Sequence, residues 1–240
     1  MNHSVSEIAE ARPASTVVLL RDCKHGLETL LLKRNKALLF AGGLWVFPGG
    51  SIDAEEMDEA GGDIEQASRR AAAREAMEES GLQPALEEMV LLSHWTTPIA
   101  EPKRFSTWIY AAPLAVDDEV VIDGGEIHDS RWIVVRDAVA EHEAGQLNML
   151  PPTYLTLRNL CRYDSVAQMV TVERESDVPE VFPVFASDGE QMVVMFRGDA
   201  GYDSADGDTP GARHRAMLLD RRWEYLYRDV DEAYPPLVEP

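Results

Sequence analysis

The segment Arg74-Glu75-Ala76-Met77-Glu78-Glu79-Ser80-Gly81-Leu82 constrains this 240-residue chain more than any other stretch. As a helix it places Glu75, Glu78 and Glu79 at i, i+3 and i+4, so three carboxylates crowd one face. Like charges at those spacings destabilise a helix by about 0.2–0.5 kcal/mol per pair. Arg74 supplies only one adjacent counter-charge. A divalent cation with a preference for hard oxygen ligands, Mg2+ or Mn2+, would relieve the repulsion and use the geometry. The competing reading is a solvated acidic face, which is common in a chain with 43 acidic and 22 basic residues. The flanking residues favour a built site. Asp63 is a good N-cap with Gln66 at the N3 position of a capping box. Ala67, Ala71, Ala72, Ala73 and Ala76 make the helix slim enough to lie close to a sheet, and Gly81 is placed to end it as the C′ residue. Upstream, Phe47-Pro48-Gly49-Gly50 lets the backbone turn sharply.

Arg-Glu-x-x-Glu-Glu-x-Gly followed by an aliphatic residue, behind a Pro-Gly-Gly turn, resembles the signature of the Nudix hydrolases. The second half matches at every fixed position from Arg74 to Leu82. The first half departs, because twenty-three residues separate Gly50 from Arg74, ten more than the family's box carries. The extra residues are rich in Asp, Glu and Gly. Eight positions before Arg74, where the family usually has Glu, stands Gln66, with Glu65 beside it. The resemblance implies a metal-dependent diphosphatase in which Glu78 and Glu79 hold Mg2+ or Mn2+, with Glu75 as a further ligand or a base. It also implies that Arg74 pairs with a helix or loop carboxylate and orients the acidic cluster. Glu126 stands six residues before Trp132, which resembles a Glu-to-Trp spacing found after the core strands in many members. That gives it a place near the metal. A solvated turn residue is the alternative.

Composition sets the outer bounds. Hydrophobic content of 45% with 27% charged residues is ordinary for a soluble globular chain of one domain with additions. A net charge of −21 repels phosphate backbones and anionic lipid, so neither nucleic acid nor a membrane is the expected partner. No apolar run reaches the roughly 18 residues of a spanning helix. Cys23 and Cys161 lack metal-type spacing, and the polar start from Met1 to Pro13, read as mobile, lacks the basic and apolar regions of a signal peptide. A cytoplasmic setting is expected, with a monomer or a homodimer left open.

Taken in order, the chain predicts a hairpin from Ala14–Arg21 and Glu28–Lys33, a basic loop over Arg34–Gly43 and a short strand at Leu44–Phe47. Ser51–Gly62 reads as a loop with at most one helical turn. Further strands are expected at Met89–His94, Phe105–Ala112, Val120–Ile122 and Ile127–Val135. Helices follow at Arg136–Ala144, at Thr153–Tyr163 behind Pro151-Pro152, and at Ser165–Glu173. Four strands, at 181–185, 191–196, 214–219 and 223–227, enclose an Asp/Gly-rich loop at 198–210. The fold class is α/β, a Nudix-like α/β/α sandwich with a mixed sheet and a C-terminal extension. Residues 14–145 form the Nudix-like domain and 146–240 an extension packed on it.

Several local features resemble one branch, the peroxisomal-type coenzyme A diphosphatases and their bacterial relatives. They are the interrupted box, the Leu-Leu-Phe-Ala-Gly-Gly-Leu-Trp-Val-Phe-Pro-Gly-Gly lead-in, the loop from Thr97-Pro98 to Pro102-Lys103-Arg104-Phe105-Ser106-Thr107, and the Leu150-Pro151-Pro152-Thr153 helix start. The implied reaction splits coenzyme A or an acyl ester into 3′,5′-ADP and a phosphopantetheine. The alternatives are ADP-ribose, NADH or a sugar nucleotide as substrate, or a non-catalytic nucleotide sensor on the same fold. A coenzyme A substrate needs a local positive patch in so acidic a protein. Arg34 and Lys36 before the motif, and Lys103 and Arg104 after it, are the candidate phosphate-binding cations. His94, His128, His142 and His214 are isolated and are assigned no catalytic role.

Overall fold

The apolar run Val17-Val18-Leu19-Leu20 is continuous because both of its faces are covered. In the computed structural model, which describes residues 9–37, 41–115 and 119–238, these four side chains are fully buried within strand β1 (Ala11–Cys23). Val17 and Leu19 pack with Leu30 and Leu32 of β2 (Gly26–Arg34) on one face. Val18 and Leu20 pack with Leu31 on the other. Each fully buried aliphatic side chain contributes roughly 1.5–3 kcal/mol.

β1 and β2 form the expected hairpin, with Cys23 opposite Gly26. They pair only as far as Leu20 and Thr29 and then part. Into the gap runs the turn segment: β3 (Trp45–Val46) pairs with the end of β2, and β4 (Gly49–Ser51) pairs with Ala14–Thr16 of β1. The Pro-Gly-Gly turn is thereby fixed in a split between two central strands, with Val17 N–H donating to the Pro48 carbonyl at 3.0 Å. β5 (Val90–Thr96), β6 (Arg104–Pro113), β7 (Ile127–Val134) and β8 (Glu180–Val181) complete the sheet. Its path is β3-β2-β1-β6-β5-β8, with β4 on β1 and β7 on β2. The β1–β6 and β5–β8 pairs are parallel and the other pairs antiparallel, so the sheet is mixed as expected.

Helix α1 (Ala54–Glu59) and helix α2 (Ile64–Ser80) lie on the Val17 face. Ala67, Ala71, Ala72, Ala73 and Ala76 are all buried, which is what lets α2 lie close to the strands. Its N-terminus is capped by Asp63, which accepts the N–H groups of Glu65 and Gln66 at 3.0 and 3.2 Å. Gln66 does not close a reciprocal box; its side chain donates to the Asp63 carboxylate instead. Gly81 ends the helix at φ 73°, in the left-handed region where glycine costs least.

On the other face lie α3 (Val135–Glu143), α4 (Pro151–Leu160) and α5 (Val166–Glu173). A second, four-stranded antiparallel sheet runs β12-β11-β10-β9, made of β9 (Val184–Asp188), β10 (Gln191–Met195), β11 (Arg213–Leu219) and β12 (Arg222–Arg228). Its Val194, Phe196, Ala216 and Trp223 join the same apolar cluster as Val18, Ile109 and Leu155. Trp223 ties the two parts together: its backbone N–H donates to His142 Nε2 and its indole N–H to the Met149 carbonyl. Arg215, fully buried, is held by Asp199 and Asp188 beneath the Asp/Gly-rich loop.

Three local expectations are corrected. The helical turn within the insertion is longer than expected: α1 is a capped helix of six residues, flanked by turn residues. Val120–Ile122 forms no strand; Val121 N–H instead donates to the Ser80 carbonyl at the end of α2, and its side chain is exposed. The start read as mobile to Pro13 is already strand from Ala11, held by β6. Residues 1–8 of that start, and 38–40 of the Arg34–Gly43 loop, lie outside the described residues. No helix among the described residues is long and apolar enough to cross a membrane.

Candidate active site

The turn and the helix meet at Glu79. Its carboxylate is buried, and Oε2 accepts the Gly49 N–H at 3.1 Å. Glu75, one turn back, lies so close to Gly50 that a side chain there would collide with its carboxylate. The first glycine of the turn is the one required by approach, since a side chain at Gly49 would meet the Ser15 carbonyl and Thr16. Burial is the main force on both acids. It pushes the Glu79 carboxyl up to about 8, with Glu75 and Glu126 repelling it further, against the opposing pull of Gly49 and Arg34. Burial also raises Glu75, against its bond to Arg74. Excess negative charge in a water-poor place is what these shifts express.

Two arginines divide the carboxylates between them. Arg74 Nη1 donates to Glu75 Oε1 at 2.8 Å and to Glu78 Oε2 at 3.1 Å. The other edge of its guanidinium holds Glu56 Oε1 through Nε at 2.8 Å and the Ser51 carbonyl through Nη2 at 3.0 Å. Burial opposes the charge on Arg74, but its bonds to Glu56 and Glu75 outweigh that and hold the guanidinium well above its ordinary range. Arg34, at the end of β2, bonds Glu126 Oε2 at 2.9 Å and stands 3.7 Å from Glu79 Oε1, while its buried Nε has no partner among the described residues. Glu126 is fixed from behind, its own N–H on Asp123 and its carbonyl accepting from Asn35.

This arrangement carries the family assignment. The model for the NUDIX domain matches residues 11–152, more than half of the chain. The chain belongs to the Nudix family. Among curated proteins it is similar to putative nudix hydrolase 7 of Caenorhabditis elegans, at 28% identity over 186 residues, 62% of this chain and 60% of that protein. The Nudix chain therefore spans less than two thirds of that relative's length. Among solved structures it is similar to a NUDIX hydrolase from Alicyclobacillus acidocaldarius, at 21% identity, covering 69% of this chain and 97% of that one with a TM-score of 0.62. That likeness concerns the fold.

Of the expected site residues, this Nudix chain brings Glu75, Glu78, Glu79, Arg74, Glu126 and Arg34 into one connected network. Lys36 is exposed beyond Arg34. Lys103 and Arg104 are elsewhere, since β1 lies between β2 and β6. Arg104 holds the Thr97 and Ala9 carbonyls, and Lys103 lies 5.2 Å over the Phe105 ring. Both border a cavity of about 540 Å³ together with Arg12 and Glu10. The four cations do not form one patch.

The donor set fits a divalent cation by its chemistry: anionic oxygens, two of them pushed toward the neutral form by burial and mutual repulsion. As the side chains stand, no three His, Cys, Asp or Glu among the described residues are grouped closely enough to hold an ion, because the two arginines occupy the carboxylates. One residue of the network, Glu56, has no counterpart in the reading of the motif. The signal was present as Asp53-x-x-Glu56, a capping-box spacing that marks a helix start.

Proposed function

We propose that this protein hydrolyses the diphosphate bond of a nucleoside diphosphate linked to a second moiety, and that coenzyme A or an acyl-coenzyme A is that substrate. The observation that carries the first half is the buried Glu79 and the half-buried Glu75, both raised toward the neutral form by desolvation beside the Gly49-Gly50 turn. Glu78 and Glu79 would hold Mg2+ or Mn2+, with Glu75 as the base. Once bound, the cation supplies charge neutralisation at the diphosphate and acidifies a water molecule.

The chain's own residues divide the remaining work. Gly49 lets the turn lie against Ser15 and Thr16 of β1, and Gly50 lets the Glu75 carboxylate approach the turn backbone. Glu75, half-buried and raised by desolvation, takes a proton from the attacking water as its oxygen bonds to phosphorus and the bridging oxygen leaves with the other product. Arg74 orients Glu75 and Glu78 from one guanidinium nitrogen. Arg34 releases its acids and turns to a phosphate oxygen, a move its unpartnered Nε favours.

Support for coenzyme A comes from the cationic cavity. Arg104 is paired with Ala11 on β1, and Gly50 with Ser15. Those β1 positions are four residues apart, about 13 Å along the strand. A substrate phosphate remote from the diphosphate would find Arg12, Lys103 and Arg104 there, on a protein otherwise at −21. The test is product analysis from coenzyme A, dephospho-coenzyme A, ADP-ribose and NADH with Mg2+ or Mn2+. Release of 3′,5′-ADP as the preferred reaction supports the assignment. Preference for ADP-ribose or NADH keeps the diphosphatase reading and removes coenzyme A, and no turnover of any of them leaves a sugar nucleotide or the sensor.

A further inference from the structure

We propose that Asp123 is a positioning residue for Glu126: by holding the backbone of the loop that carries it, Asp123 keeps Glu126 beside the acidic motif when Arg34 turns to substrate. The inference rests on the diphosphatase reading above and deepens it.

Glu126 stands on the loop that leads into β7, and its side chain is 58% exposed. An exposed carboxylate on a loop with two glycines gets little direction from packing, so its backbone must supply it. The loop is first tied at Val121, whose N–H donates at 2.8 Å to the Ser80 carbonyl in the last turn of the motif helix. Asp123 follows. Its Oδ2 accepts the Glu126 N–H and its Oδ1 the Ile127 N–H, each at 2.9 Å. Two consecutive amides bound to one carboxylate fix how the chain passes through Glu126. Gly124 makes the bend at φ 72°, and Gly125 leaves room for the carboxylate, since a Cβ there would stand 3.2 Å from Asp123 Oδ2. From the β2 side, the Asn35 N–H donates to the Glu126 carbonyl at 2.7 Å, and its Nδ2 to the Gly125 carbonyl at 3.4 Å.

The side chain of Glu126 is held differently, by Arg34 Nη2 at 2.9 Å. In the proposed reaction Arg34 leaves for a phosphate oxygen. Glu126 then faces the like charges of Glu75 and Glu79 without its counter-ion, and repulsion drives it toward solvent. The bonds that remain are those of its backbone. Of these, the Asp123 pair is charge-assisted and roughly twice as strong as bonds between neutral groups. No hydrogen bond or ion pair among the described residues joins Asp123 to the motif or to Arg34, so its effect on the site passes through Glu126.

The measurement is diphosphate hydrolysis by the full chain with Mn2+, using coenzyme A, ADP-ribose, NADH and UDP-glucose as probes, together with amide hydrogen exchange of the metal-free protein. Asp123→Ala is expected to lower turnover about tenfold, the loss expected of Glu126→Gln, and to speed exchange at the Glu126 and Ile127 amides by about tenfold or more. In a Glu126→Gln background, Asp123→Ala should cost less than about twofold more, because a residue acting through Glu126 has no further effect once that carboxylate is gone. Asp123→Asn keeps one acceptor oxygen and should bring turnover back to within about threefold of wild type. Asp129→Ala makes the same change in net charge three residues from Glu126, where the carboxylate serves only the Ser130 N–H. It is expected to leave turnover and the two amides within about twofold of wild type. Thermal melting identifies loss of fold; if Asp123→Ala does not fold, Asp123→Asn with and without Glu126→Gln decides. Wild-type turnover in Asp123→Ala, or a loss that multiplies with that of Glu126→Gln, overturns the inference while leaving the diphosphatase reading intact. Failure of the wild-type protein to hydrolyse any of the probes overturns that reading and this inference with it.

Discussion

Gly49 donates its backbone N–H to the carboxylate of Glu79 at 3.1 Å, and this bond joins the turn in the split sheet to the last turn of α2. The turn and the helix are separated in sequence by an insertion, yet meet because β4 is clamped to β1 and α2 packs on the same strand through alanines. A carboxylate buried this deeply destabilises the metal-free fold, as its rise to about 8 indicates. Glu79→Gln keeps an acceptor for Gly49. It is expected to raise the stability of the metal-free protein at pH 8 by about 1–2 kcal/mol, on the scale of 1.36 kcal/mol per pH unit, while reducing Mn2+ affinity. Urea unfolding with and without Mn2+ checks both, and a metal-free stability lowered by the substitution would contradict the assignment of strain to this residue.

Arg34 and Glu126 are the complementary pair on the other side of the site. Their bond of 2.9 Å sets Glu126 beside the acidic cluster, where it repels Glu75 and Glu79. Glu126→Gln frees Arg34 to lean wholly on Glu79. The expected result is a turnover reduced about tenfold or more, with a shifted pH–rate profile. A rate and profile equal to wild type would make Glu126 an ordinary turn residue.

Much of this was legible in the residues. The helix from Asp63 to Gly81 declared both its ends, and its alanines declared the buried face. Arg74 was read as an orienting residue, and it holds Glu75, Glu78 and a loop carbonyl. Helix α1 exceeds the single turn expected there, and its length was hidden because its six residues bury little but Met57, a weak sequence signal. Its stability comes from Arg74 and α2, contacts that local pattern does not encode. Val120–Ile122 looked like a strand for its β-branched side chains, but it makes no strand pairing, and Ser80 bonds its backbone. The pairing of Arg34 with Glu126 spans 92 residues, a distance over which only topology decides neighbours. The expected grouping of Arg34 and Lys36 with Lys103 and Arg104 failed for the same reason, with β1 interposed.

His142 makes an acid-sensitive fastening between α3 and β12. Trp223 donates its N–H to Nε2 at 2.8 Å, so Nε2 must be unprotonated, and Nδ1 then donates to the Leu147 carbonyl at 2.7 Å. Burial lowers the pKa of this histidine below its ordinary value. The unfolded chain therefore takes up the proton first. Stability is fully present above an unfolded pKa of about 6.5 and declines as pH falls toward the folded value, by no more than about 1.4 kcal/mol per pH unit. His142→Leu should be less stable at pH 7.5 and lose its share of the slope between pH 6.5 and 5. Denaturant melts across that range read it directly; an unchanged slope would show that His142 does not titrate on unfolding.

In the cationic cavity, Arg104 already serves two carbonyls, which leaves Lys103 as the exposed charge beside it. If coenzyme A is the substrate, Lys103→Ala should raise KM for coenzyme A about tenfold while changing KM for dephospho-coenzyme A little, since only the former carries the 3′-phosphate. Arg104→Ala should do the same with an added loss of stability from the freed carbonyls. Equal effects on the two substrates would remove these residues from phosphate recognition.

Glu78 offers the most direct test, because its side chain is 58% exposed and its replacement leaves the packing untouched. Glu78→Gln preserves shape and removes one charge from the motif. Mn2+ affinity and metal-dependent diphosphate hydrolysis should be measured side by side in wild type and variant, with melting temperature as the control. The expected result is an unchanged melting temperature, weaker Mn2+ binding and a turnover lower by about 100-fold or more. Wild-type turnover and wild-type metal affinity in Glu78→Gln would contradict the assignment of this motif as the metal-holding active site.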